Sequence, residues 1–186
     1  MNKNAKAVKK TVISRSRMIV ISGLLVGMSI VLGKFLAFNI GTSIRISFEN
    51  LPILIAGILF GSAVGGAVGL CADLIGCIMV GYAINPVITL GAFSIGFLSG
   101  VISHSVLRKS HKLPAIACSV GVAHIIGSML VKSIGMYLYY HTPFEVLSLR
   151  VPIYIVTGLL ETYIIYLLLK NKSFSAQLER MCKNDI

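Results

Sequence analysis

Long apolar runs, separated at wide intervals by short polar segments, dominate this chain and predict helices rather than strands. Crossing a hydrocarbon core takes about 20 helical residues, and candidate runs lie at residues 18–38, 50–66, 67–80, 86–106, 114–139 and 149–169. None alternates apolar and polar residues in ten-residue blocks, as barrel strands do, and in lipid only helices and closed barrels satisfy their own backbone groups. The expectation is an all-α integral membrane protein, a six-transmembrane-helix bundle. The second and third runs are short and joined through Phe60-Gly61-Ser62-Ala63-Val64-Gly65-Gly66, which leaves their boundary open and suggests tilt or partial burial. Before the second run, Ile44, Ile46 and Phe48 alternate with Ser43, Arg45 and Ser47, the period of an extended segment that can fold over a pocket. Gly81-Tyr82-Ala83-Ile84-Asn85-Pro86 has Gly and Pro as breakers and Asn-Pro as a turn starter.

Composition agrees with a lipid environment: 56% of the 186 residues are hydrophobic and 12% are charged, against roughly 25% charged in soluble domains. Seventeen Lys and Arg against 6 Asp and Glu give a net charge of +11, and their placement argues against nucleic acid as the partner. Lys3, Lys6, Lys9, Lys10, Arg15 and Arg17 precede the first run, Arg108, Lys109 and Lys112 share one loop, and Lys170, Lys172, Arg180 and Lys183 close the chain. These thirteen read as positive-inside signals that contact anionic membrane lipid. They place both termini and the loop at 107–113 in the cytoplasm, which requires an even number of spans. The chain then reads as a single membrane domain, with a basic N-terminus at 1–17, a bundle at 18–169 and a tail at 170–186. The first run is too long for a signal-peptide core and reads as a retained span. Cys71, Cys77, Cys118 and Cys182 have no metal-ligand spacing and read as small core or tail residues.

Four cations remain, Lys34, Arg45, Lys132 and Arg150, and all fall toward the outer ends of their segments, against the positive-inside rule. Together they suggest a pocket for an anionic ligand that opens outward. The competing reading, an ammonium snorkelling to the headgroups, outweighs the pocket for Lys34 but not for Arg150. Asp73 and Glu161 are acids within spans and need partners or a wet cavity. Arg150, Tyr154, Thr157 and Glu161 recur at helical spacing on one face of the last run, and His124, Ser128 and Lys132 form a second stripe. An interhelical network, such as Lys132 with Glu161, accounts for these stripes equally well. Gly23 and Gly27 form a small-xxx-small pair, and Gly57, Gly61, Gly65, Gly66 and Gly69 a longer close-approach surface; spacing alone does not say whether the contact is internal or with another protein. Nothing in the sequence forms a phosphate loop, a zinc helix pair or a catalytic Ser or Cys constellation. The chain therefore reads as a non-enzyme that needs no cofactor or metal of its own and cannot couple ATP hydrolysis.

Arg45-Ile46-Ser47-Phe48-Glu49-Asn50-Leu51-Pro52-Ile53-Leu54-Ile55-Ala56-Gly57-Ile58-Leu59-Phe60-Gly61, together with six spans and a basic N-terminus, resembles the substrate-binding (S) components of energy-coupling-factor (ECF) vitamin transporters. Gly65-Gly66-Ala67-Val68-Gly69-Leu70-Cys71-Ala72-Asp73-Leu74-Ile75-Gly76 and Leu149-Arg150-Val151-Pro152 resemble the folate branch. The resemblance covers all but about a dozen residues at each end. It implies a multi-pass protein of the bacterial plasma membrane that binds folate or a related pterin near the outer face. It further implies docking on an ECF transmembrane coupling subunit driven by two ATPase subunits, with Gly23 and Gly27 facing that subunit, where family members more often carry Ala. Arg150, Arg45 and Lys132 become candidate contacts for the two carboxylates of folate's glutamate tail, and Asp73 for the pterin. Asn85, Tyr154, His124 and Glu161 complete the candidate site, and the loops around Gly41 to Phe48 and Tyr82 to Pro86 are candidate gates. The alternatives are an S component for pantothenate or riboflavin, a stand-alone transporter relaying protons through Asp73, Glu161 and His124, and a scaffold without a ligand.

Overall fold

The computed structural model describes residues 15–40, 44–106 and 113–171; Gly41 and most of the basic terminal and loop residues lie outside them. Helix α1 (Arg15–Ile30) continues as a π-helical turn, Val31–Phe35, into a short antiparallel hairpin of β1 (Phe38–Ile40) and β2 (Ile44–Ile46). Then come α2 (Asn50–Phe60), α3 (Ser62–Val80), α4 (Pro86–Val101) with a π-helical end at Ile102–Val106, and α5 (Leu113–Ala123). A π-helical stretch, His124–Val131, joins α5 to α6 (Lys132–Tyr140) in one rod, and α7 (Phe144–Lys170) completes the described chain. In the hairpin Phe38 faces Ile46, Asn39 faces Arg45 and Ile40 faces Ile44. The extended backbone at 44–46 follows the period-two pattern, whereas its pairing with 38–40 had no signal in the sequence.

Among the described residues, five rods are long and apolar enough to cross a membrane: Ser16–Phe35, Ser62–Val80, Pro86–His104, Leu113–Tyr140 and Phe144–Lys170. The second apolar helix is shorter than the run that predicts it. Helix α2 has 11 residues, about 16 Å at 1.5 Å per residue, which falls well short of a hydrocarbon core. The break that shortens it comes at Gly61, five residues before the sequence boundary, because Gly61 takes φ +97°, a conformation open to glycine and closed to most side chains. The last helix also starts earlier than expected, at Phe144, behind Pro143. Asn85 sets the start of α4: its side-chain oxygen accepts from the Val87 and Ile88 backbone N–H groups, with Pro86 pre-set at the first helical position.

Helix α2 is the most enclosed element, with Leu54 and Ala56 fully buried against Ile95 of α4 and Ile165 of α7. Glycines permit this. A Cβ at Gly65 of α3 would lie 2.5 Å from both the Gly57 Cα and the Gly96 carbonyl oxygen, so three helices meet where no side chain fits. Gly23 and Gly27 behave differently, since a Cβ at either meets nothing within 4 Å. They sit on a lipid-side face with Ile19, Val20, Leu24 and Met28 exposed around them. Packing among the described residues therefore does not use that pair. Adding one methyl separates the two classes: Gly65→Ala is expected to destabilise the bundle by about 1–3 kcal/mol through overpacking, while Gly23→Ala, with no clash and a better helix former, does not lower the thermal unfolding midpoint in detergent.

Candidate ligand-binding cavity

A cavity of about 250 Å³ opens at the end of the bundle where α3 ends and α4 and α7 begin. Five charged side chains line it. Lys34 comes from the π-helical turn after α1, Glu49 from the junction of β2 and α2, Asp73 from α3, Lys132 from the start of α6 and Arg150 from α7. Tyr82, Asn85 and Tyr154 form part of the wall. Among the proposed gate residues, Tyr82 lines the cavity, whereas Ser47 and Glu49 rather than Phe48, and Asn85 rather than Pro86, do so in the two connections. Arg45 pairs through its backbone with Asn39, two positions from Ser47, and its side chain lies outside the described part.

Lys34 departs from the snorkelling expected of it. Its stem crosses Gly76, where a Cβ would lie 2.9 Å from the Lys34 Cε, and its ammonium sits 5.5 Å from the centre of the Tyr82 ring. Lys132 is only 5% exposed, and its partner is not Glu161. Its ammonium donates to Glu49 Oε1 at 2.9 Å and to Asn50 Oδ1 at 3.4 Å. Glu161 instead pairs with His124, whose Nε2 lies 2.6 Å from Glu161 Oε2, with both side chains buried. The stripe of His124, Ser128 and Lys132 itself persists, with Ser128 Oγ 3.2 Å from His124 Nδ1 and all three of its residues buried; only the choice of acid opposite Lys132 differs from the expectation. Neither His124 nor Glu161 lines the cavity, although the His124 ring packs against the Tyr154 ring at 5.6 Å.

Arg150 is held by neutral groups: its guanidinium donates to Tyr154 Oη at 2.7 Å, to Met136 Sδ at 2.8 Å and to Ser133 Oγ at 3.4 Å, and lies 5.3 Å from the centre of the Tyr154 ring. Asp73 accepts a 2.6 Å hydrogen bond from the Thr89 hydroxyl at Oδ2, and the Asn85 carbonyl oxygen lies 3.1 Å from the same hydroxyl as a second acceptor. Asn85 ties α4 to α6 by donating to the Gly135 carbonyl oxygen at 3.2 Å. Sequence reasoning left Glu49, Cys77, Met136 and Tyr140 out of the site although all four line the cavity. For Glu49 a signal existed, because the alternation carrying Arg45 and Ser47 extends to it. The other three look like ordinary residues of apolar helices. Among the described residues no group of His, Cys, Asp and Glu is arranged to hold a metal ion.

The chain matches the family described as "ECF transporter, substrate-specific component" over residues 17–171. It belongs to that family. S components bind a vitamin and pair with the other subunits of the ECF transporter; they are membrane-embedded binding subunits rather than a class of enzymes. Three solved structures share the fold. FolT crystallised with folic acid superposes with a TM-score of 0.67 at 20% identity, covering 82% of this chain and 92% of that one. The S component of a bacterial ECF transporter gives 0.63 at 18% identity, over 91% and 99%. The S component for biotin gives 0.64 at 16% identity, over 87% and 95%. No curated protein sequence matches the chain. At these identities the structures establish the fold of the S component and leave its vitamin open.

His124 and Glu161 pair outside that cavity and tie α7 to the α5–α6 rod, with Glu161 Oε1 buried and without a hydrogen-bond partner among the described residues. His124→Leu, which strands a buried carboxylate, is expected to cost about 3–5 kcal/mol, and His124→Leu with Glu161→Leu to recover most of it. Thermal unfolding of the two variants in one detergent makes the comparison.

Proposed function

We propose that this S component captures folate from the outer side of a bacterial plasma membrane for ATP-driven uptake by its partner subunits. The observation that carries the reading is the charge chemistry of the cavity: cations at its rim and walls, with a carboxylate, Asp73, on α3. Folate matches both, with two carboxylates on its glutamate tail and a pterin rich in N–H donors. One carboxylate accepts two parallel N–H bonds from such a ring better than any neutral side chain. Thr89 engages only Oδ2 of Asp73. The FolT structure with folic acid is compatible with this choice, and the biotin S component is the reminder that one fold serves several vitamins. A proton relay through Asp73, His124 and Glu161 gains no support, since His124 and Glu161 are paired away from the cavity that Asp73 lines.

The exposed Gly23 and Gly27 face is the surface proposed to meet the coupling subunit, whose two ATPase partners supply the energy. Gly27→Leu then leaves folate affinity unchanged and abolishes uptake in proteoliposomes that contain the whole transporter; a parallel loss of affinity counts against that assignment.

Calorimetry is the assay of choice for substrate, because the chain has no Trp to report binding. Folate is expected to bind tightly, while pantothenate, riboflavin and biotin give no heat. Arg150→Ala and Asp73→Asn should each weaken folate binding by at least the roughly 1.5–3 kcal/mol typical of a charged hydrogen bond. Tight binding of another vitamin in place of folate overturns the substrate and keeps the family.

A further inference from the structure

Three cations line the cavity, and their partners divide them into two kinds. Lys132 is matched by a full negative charge, the Glu49 carboxylate at 2.9 Å, with the Asn50 amide oxygen beside it. Lys34 and Arg150 rest on tyrosine rings, Lys34 on Tyr82 at 5.5 Å and Arg150 on Tyr154 at 5.3 Å. An aromatic face attracts a cation through its quadrupole and carries no net charge. The hydroxyls and the thioether that Arg150 also touches are neutral as well. Among the described residues, no carboxylate forms an ion pair with either of them. Tyrosine thus fixes these two cations in place while leaving their positive charge available. Glu49 does the opposite for Lys132 and removes it from competition for an incoming anion.

Glu49 is well placed to be a permanent counter-ion. Its backbone carbonyl accepts from the Ser29 hydroxyl at 2.7 Å, and Gly33 leaves room for its side chain, since a Cβ there would lie 2.7 Å from the Glu49 Cβ. The carboxylate is thereby held between α1 and α6. Displacing it from a lysine that is 95% buried would leave an ion uncompensated in a low-dielectric setting, which an exchange for the ligand's own carboxylate has to overcome.

From this contrast we infer that Lys34 and Arg150, not Lys132, form the anion subsite of the cavity, and that Glu49 sets its charge selectivity by holding Lys132 neutralised. This rests on the folate reading above. It adds Lys34 as a specificity-determining residue and withdraws Lys132 from the ligand contacts. Two unneutralised cations, on the π-helical turn after α1 and on α7, match a ligand with two carboxylates better than one with a single carboxylate.

The test compares folate, with its two tail carboxylates, with pteroate, which lacks the glutamate and carries one. Calorimetric dissociation constants are measured for the wild type, Lys34→Met, Lys34→Arg and the double variant Glu49→Gln with Lys132→Met. The wild type is expected to prefer folate, Lys34→Met to reduce that preference about tenfold, as loss of a charge-assisted hydrogen bond would, and Lys34→Arg to restore it. The double variant keeps the preference within about threefold. An unchanged preference in Lys34→Met, or its loss in the double variant, overturns the assignment. If the double variant does not fold, Lys34→Met and its Lys34→Arg rescue decide alone. A wild type that binds neither compound overturns the folate reading and this subsite with it, an outcome distinct from folate binding that ignores Lys34.

Discussion

A lysine buried among apolar helices survives only beside a counter-charge, and the Lys132–Glu49 pair is the contact on which the rest of this cavity depends. Lys132 begins α6, where the π-helical stretch ends, and Glu49 stands between the hairpin and the enclosed helix α2. One ion pair therefore joins segments 83 positions apart in the chain. It brings the hairpin side of the cavity against the wall that carries Asn85 and Gly135. Asn50 adds its amide oxygen to the same ammonium, so the lysine has more than one acceptor, as a buried charge needs.

Beneath the cavity the constraint is steric. Glycines at 57, 65 and 96 bring α2, α3 and α4 into backbone contact, and the short helix α2 is enclosed by its neighbours. The outward faces of the longer rods are apolar and exposed, including Leu24, Ile125, Leu130, Ile155 and Leu159, which is what a lipid solvent asks for. Polar groups concentrate instead at the ligand end, and deeper in the bundle they are spent on one another, as His124 and Glu161 are.

The membrane class and most helices were legible because long apolar runs admit few structures in lipid. Asp73, Arg150 and Tyr154 could be singled out because polar residues in such runs are expensive and rarely idle. The lost information has particular physical causes. A glycine at positive φ, Gly61, ended α2 in a stretch where several glycines were equally plausible breaks. The π-helical segments Val31–Phe35 and His124–Val131 have no signature in a 3.6-residue period, and the pairs Lys132–Glu49 and His124–Glu161 join residues 83 and 37 positions apart. Glu49 carried a signal in the period-two alternation through Arg45 and Ser47, which extends to it, but nothing local to it named Lys132 as its partner. Choice of partner among several acids and bases depends on distances that no local pattern contains.

A double-mutant cycle on the ligand-free protein addresses the Lys132–Glu49 contact most directly. Thermal unfolding free energies are compared for wild type, Lys132→Met, Glu49→Gln and the two together. The account predicts that each single change destabilises, that Glu49→Gln costs about 3–5 kcal/mol by leaving the buried Lys132 ammonium without its counter-charge, and that the double variant is less impaired than the sum of the singles by at least about 1 kcal/mol. Losses that simply add would contradict it, because the two side chains would then contribute independently.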